Sequence, residues 1–131
     1  MQDLSYEERI IVTKSIMRLL DEWNVGADEA VSLLGLPATT RKRQLEQYRR
    51  DTPFPEDRQV LERMEHLAGI AEALRTTYPR NFQMRNLWIH RPHRRFNNRS
   101  PLAAMIDEGL SGLVAVRADL DCSFAWEQSG S

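Results

Sequence analysis

Between residues 60 and 78 the apolar side chains Val60, Met64, Leu67, Ala71, Leu74 and Tyr78 fall alternately four and three positions apart, the spacing that a helix–helix seam requires. A strand would need alternation every second residue, so this stretch commits the chain to helix. Pro53 and Pro55 break the chain before it and Pro79 stops it, because proline lacks the N–H that a helix interior needs. The reading is one long helix over 56–78, whose seam also offers a surface for homodimerisation. The other periodic segments agree with an all-α fold of six or seven helices. Ser5 and Glu8 form a capping box, followed by a stripe of Val12, Ile16, Leu19, Leu20 and Trp23 that ends at "NVG", residues 24–26. "ADEAVSLL" is a short helix that stops at Gly35, where a left-handed turn costs glycine little. A third helix is expected from Thr39 to Arg50, with Leu45 and Tyr48 turned inward. A shorter one, about 81–89, brings Phe82 and Trp88. Ser100-Pro101 caps a helix bearing Leu102, Met105 and Ile106, which ends at Gly109. A final helix from Ser111 holds Leu113, Val116 and Leu120, and "EQSGS" reads as a frayed tail.

At 131 residues with 41% hydrophobic content, the chain suits one domain or two very small ones packed around a shared core. Three segments are expected: an N-terminal helix-turn-helix part (1–55), a second helical part (56–126) and a flexible tail (127–131). The net charge of −1 neither demands nor excludes nucleic acid, so the placement of charge has to decide. Residues 41–50, "RKRQLEQYRR", carry five basic residues and one acid, and residues 91–99, "RPHRRFNNR", carry four Arg, one His and no acid. Local basic patches on a near-neutral protein suit a phosphate backbone better than a membrane surface. The single cysteine, Cys122, cannot form an internal disulfide. With no apolar run of membrane-spanning length and no basic-then-apolar leader, the expectation is a cytoplasmic, non-membrane protein.

Val31 and Gly35, flanked by Ala27, Ala30 and Leu34, resemble the packed first helix and tight turn of a helix-turn-helix unit, where helices meet steeply and small residues are needed. On a recognition helix over 39–50, the face opposite Leu45 and Tyr48 holds Thr39, Thr40, Arg43, Gln47 and Arg50, flanked by Lys42, Gln44 and Arg49. These residue types bind phosphates and read base edges. Thr39, Thr40, Lys42, Arg43, Gln44, Gln47 and Arg50 are therefore the candidate DNA contacts. Arg41 near the inward side and Glu46 on the flank argue against, and an ordinary helical hairpin with a solvated basic face remains open.

The second half carries a more specific pattern. It comprises Ala68 to Leu74 on a helix, the pair Trp88-Ile89, a Pro- and Asn-bearing loop from Pro92 to Asn98, then Ser100-Pro101-Leu102, Gly109, and a helix over Val114 to Leu120. In order and spacing this resembles the toxin-binding C-terminal domain of the MbcA/ParS/Xre-type antitoxins, over roughly half the chain. The N-terminal part is similar to the Xre-like half of such proteins. Where that family often has glycines before the Ser-Pro, this chain has "FNNR". The resemblance implies a type II antitoxin that binds a RES-domain toxin, one that consumes NAD or transfers ADP-ribose from it, and blocks its NAD pocket. It also implies repression of their shared promoter. By this resemblance Arg91, Arg94, Arg95 and Arg99 pair with acidic groups around a pocket, and Trp88, Phe96 and Trp126 act as aromatic anchors. Trp88 also suits a core position, and Ser100-Pro101 caps a helix whatever the function.

His90 and His93 form an H-x-x-H, but an arginine-rich loop disfavours a bound cation and further ligands are lacking, so no metal or other cofactor is expected. Nothing near Cys122 supplies a base or an oxyanion hole, and no glycine-rich phosphate loop exists. The chain does not read as an enzyme. Two further readings stay open: a stand-alone helix-turn-helix regulator, and a helical adaptor that never touches nucleic acid.

Overall fold

The computed structural model describes the backbone of residues 4–130 and the side chains of residues 4–122. Among them the fold is all-α, with no strand: α1 (Tyr6–Glu22), α2 (Ala27–Leu34), α3 (Lys42–Arg50), α4 (Arg58–Thr77), α5 (Phe82–His90), α6 (Pro101–Glu108) and α7 (Leu110–Gly130). A single 3-10 turn, Arg94–Phe96, lies between α5 and α6. No helix of the described residues is long and apolar enough to cross a membrane. The chain divides into two compact units, Met1–Glu65 and His66–Ser131. The division falls inside α4, ten residues beyond the proline break where sequence reasoning places it.

In the N-terminal unit the capping box forms as expected: Ser5 N–H donates to Glu8 Oε1 at 2.9 Å and Glu8 N–H to Ser5 Oγ at 3.1 Å. The Ser5 N–H, and after it the Ser5 hydroxyl, favour the ionised carboxylate and lower the Glu8 pKa. Ile16, Met17 and Leu20 of α1 and its C-cap residue Trp23 are buried, as are Val31, Leu33 and Leu34 of α2 and Leu45 of α3. Gly35 closes α2 at φ +69°. Thr13 is buried, and its hydroxyl accepts the Phe54 N–H at 3.0 Å. Arg9 donates to the Phe54 carbonyl at 2.9 Å and pairs with Glu56 at 2.9 Å. Phe54, flanked by the two prolines, is thereby tied by both backbone groups to α1, and its ring meets Tyr48 edge-on at 5.0 Å. This arrangement fixes the exit of α3.

In the C-terminal unit α6 packs on both α5 and α7. Gly112 permits the α6–α7 crossing, because a Cβ there would overlap the Ala104 carbonyl oxygen. Gly69 similarly receives the Arg117 guanidinium on the surface of α4. Gly109, at φ +64° and ψ −130°, makes the turn between α6 and α7 in backbone space that only glycine occupies readily. The α4 seam differs from expectation in its use. Val60, Met64, Leu67, Ala71 and Leu74 are all buried within the chain, so they offer no free stripe to a second copy. The backbone of α7 stays helical through Gly130, past the point where the sequence suggests a tail.

Candidate functional site

Two basic surfaces stand out, one in each unit. The first is α3. It begins at Lys42, not Thr39, because the Gln44 side chain reaches back to accept the Arg41 N–H at 2.9 Å and sets Arg41 as the N-cap. Thr39 and Thr40 therefore sit in the turn before the helix, Thr39 exposed and Thr40 half-buried. The connection from α2 to α3 spans seven residues, 35–41, longer than the three or four of a compact helix-turn-helix. Arg41, outside the helix, is exposed, which removes the conflict that an inward arginine would have posed. Gln44 is exposed, but its oxygen serves as part of the cap.

Arg43, Gln47 and Arg50 line one stripe opposite the buried Leu45, and all three are exposed, as is Lys42. Among the described residues no carboxylate pairs with Lys42, Arg43 or Arg50. Arg49 is different. It makes a two-pronged contact with Asp21 of α1, both bonds 2.9 Å, and also pairs with Glu46. The hydrogen bond to Asp21 is the main reason its pKa is raised. Glu46, the flanking acid that argues against a DNA-contacting face, is thus paired with Arg49, which also holds α3 against α1.

The second surface is the segment from α5 to the start of α6. Asn81 caps α5 by accepting the Met84 N–H at 3.0 Å. After Arg91 the chain closes into a small, heavily bonded loop. His93 N–H donates to the Arg99 carbonyl at 3.0 Å, and the His93 carbonyl accepts from Phe96 and Asn98, each at 3.0 Å. Asn97 and Asn98 take φ of +58° and +63°, left-handed positions that asparagine tolerates best after glycine. The two asparagines of "FNNR" thus take up backbone conformations that glycine adopts most readily. Ser100 then accepts the Ala103 N–H at 3.0 Å with Pro101 at the first helical position.

The loop sorts the predicted residues into three groups. Phe96 is buried, 6% exposed, and meets the His93 ring edge-on at 6.1 Å. It is an internal anchor of the loop, a correction to its expected role as a contact anchor, because loop closure folds its ring inward. Arg99 is likewise engaged internally: it donates to the Phe96 carbonyl at 2.9 Å and to Glu108 at 2.8 Å, and also approaches Asp107 at 3.4 Å. Arg95 pairs with Asp119 of α7. Both guanidiniums have raised pKa values, chiefly from the bonds to Glu108 and Asp119 respectively. Arg91 and Arg94 form the third group, exposed and with no ion pair among the described residues. Trp88 is half-buried with its ring 5.1 Å from that of His93, so a stack of Trp88, His93 and Phe96 fastens the loop to α5. The expected anchor Trp126 has its side chain outside the described residues. His90 Nδ1 lies 2.8 Å from the Asn86 carbonyl, and Cys122 is exposed.

Sequence reasoning misses Phe82 and Leu87 as surface residues. They are 51% and 45% exposed, two of the large apolar side chains most open to solvent. The helical period gives a signal for Leu87, which with Gln83 lies opposite the buried Ile89, and none for Phe82, which stands seven positions before Ile89 and so on its side of α5.

The chain is similar to the uncharacterized protein y4oB of Sinorhizobium fredii (strain NBRC 101917 / NGR234), at 29% identity over 108 residues, covering 82% of this chain and 80% of that protein. No family profile matches the chain. No solved structure matches it.

Proposed function

We propose that this chain is the antitoxin of a type II toxin–antitoxin pair. Its C-terminal unit binds a RES-type toxin, one that consumes NAD or transfers ADP-ribose from it, and covers the toxin's active site. Its N-terminal unit binds promoter DNA and represses the shared operon, and the protein performs no catalysis of its own. The observation that carries this reading is the loop from Arg91 to Ser100. Its backbone is held by internal hydrogen bonds and by Arg99, while Arg91 and Arg94 are exposed without a carboxylate partner among the described residues. A projection ordered before binding loses little entropy on docking, and arginine forks suit the carboxylates that rim a pocket.

The stripe of Arg43, Gln47 and Arg50, with Lys42 beside it, exposed and without a carboxylate partner among the described residues, supports the DNA-binding half of the proposal. A single nine-residue helix covers one half-site, so repression calls for two copies on a palindromic operator. Their interface lies outside the buried α4 seam. The protein acts in the cytoplasm, where toxin and operator both reside.

The test is co-expression with the product of the adjacent gene. Rescue of growth and co-elution of the two proteins are the expected results. The α3 stripe by itself also suits a stand-alone regulator, and a protein that binds its promoter yet neither rescues growth nor co-elutes is that regulator. Absence of DNA binding even at low salt, where phosphate contacts are strongest, removes the repressor half.

A further inference from the structure

Between α1, residues 54–56 and the start of α4, the N-terminal unit encloses a recess of about 230 Å³. Val12, Phe54, Leu61 and Met64 supply apolar walls, and Arg9 and Glu56 supply charge. Pockets for drug-sized molecules begin at roughly 300 Å³, so this one suits a smaller occupant. Arg9 gives it a chemical preference. Its guanidinium has five N–H donors. One goes to the Phe54 carbonyl at 2.9 Å, a bond that ties the chain after α3 to α1, and another to Glu56 at 2.9 Å. The Glu56 side chain is 73% exposed, and ion pairs so open to water add little. An external carboxylate can therefore take the place of Glu56 on Arg9. Attached to an apolar body, it also gains burial against the four walls, which the Glu56 carboxylate by itself lacks. A bare anion would match Arg9 and leave the walls wet, while an uncharged apolar molecule would cover the walls and forgo the guanidinium.

We infer that this recess is a binding site for a small apolar monocarboxylate. Its carboxylate displaces Glu56 from Arg9, and its apolar body packs on Val12, Phe54, Leu61 and Met64. Phe54 is both a wall of the recess and the edge-on neighbour of Tyr48 in α3, at 5.0 Å. A bound molecule thus bears on the residue that fixes the exit of α3. Its role as an effector of promoter binding rests on the repressor reading; the site itself does not.

The experiment titrates the full-length chain with hexanoate and, as the uncharged control, hexanol, following the backbone amides of Thr13, Phe54 and Leu61 by NMR. Saturable shifts centred on these residues are expected. Hexanoate should bind at least about fivefold tighter than hexanol, the margin of a charge-assisted over a neutral hydrogen bond. Glu56→Gln, at an exposed position, removes the internal competitor and is expected to tighten hexanoate binding about threefold, with hexanol unaffected. Leu61→Trp fills the recess and is expected to abolish binding, with the melting temperature checking the fold; should that variant unfold, Glu56→Gln decides alone. Equal affinity for acid and alcohol, no gain in Glu56→Gln, or no saturable shift at millimolar hexanoate each overturns the inference. Shifts spread over other arginine-bearing surfaces show an adventitious additive only and overturn it as well. Promoter affinity with and without saturating hexanoate is expected to differ at least about fivefold, the lower end of allosteric coupling. Unchanged promoter affinity overturns the effector role, and a chain that binds hexanoate but no promoter DNA removes the repressor reading while the site stands.

Discussion

A methyl group added at Gly112 would overlap the Ala104 carbonyl oxygen and come within 2.9 Å of the Met105 Cα, backbone atoms that have no rotamer to escape into. Gly112→Ala is expected to destabilise the C-terminal unit by about 1–3 kcal/mol, the usual range for overpacking, read as a lower denaturation midpoint. An unchanged midpoint would mean that α6 and α7 separate at little cost. Glu8 offers a test by pH. Its pKa is depressed by the capping bonds to Ser5, so its contribution is present above the unfolded glutamate pKa and is lost as pH falls through the folded value. Amide exchange at Ser5 and Glu8 should therefore rise, relative to the middle of α1, as pH drops below the ordinary glutamate range. Glu8→Gln should remove most of that pH dependence.

At the scale of elements, the orientation of α3 on α1 depends on a charge pair that adds little to bulk stability. The fork between Arg49 and Asp21 is half-exposed, and such pairs contribute about 0–1 kcal/mol. Its larger effect is on aim. Asp21→Arg is expected to leave the melting temperature within a few degrees but to weaken promoter binding, because α3 loses its strut. Combining it with Arg49→Asp should restore binding in part; no recovery would mean that the pair is incidental. Helix ends are legible in the sequence wherever the capping chemistry is local, as at Ser5 with Glu8, at Gly35 and at Ser100-Pro101. The start of α3 is less so, since Gln44 reaching back to Arg41 competes with Thr39 and Thr40, both plausible caps. Which arginines are available is not legible either, because the answer depends on Asp107, Glu108 and Asp119 being folded back onto Arg99 and Arg95. The burial of Phe96 depends on the closure of its loop, a tertiary event that its neighbours do not announce.

For the whole molecule, the division between Glu65 and His66 places the two basic surfaces in different compact units. Their activities should then be separable. Arg43→Ala with Arg50→Ala is expected to weaken promoter binding and flatten its salt dependence, while growth rescue against the toxin stays intact. Equal loss of both activities would show that α3 serves the fold and not the DNA. The paired left-handed asparagines have a different sort of consequence. Asn97, Asn98, Phe96, Arg99 and Ser100 shape the loop from within, so the identities at 91 and 94 are released from any duty to the backbone. On the antitoxin reading those two positions would act like the bitting of a key cut on a fixed blank: descendants would change partner by altering them, with the shaft left as it was.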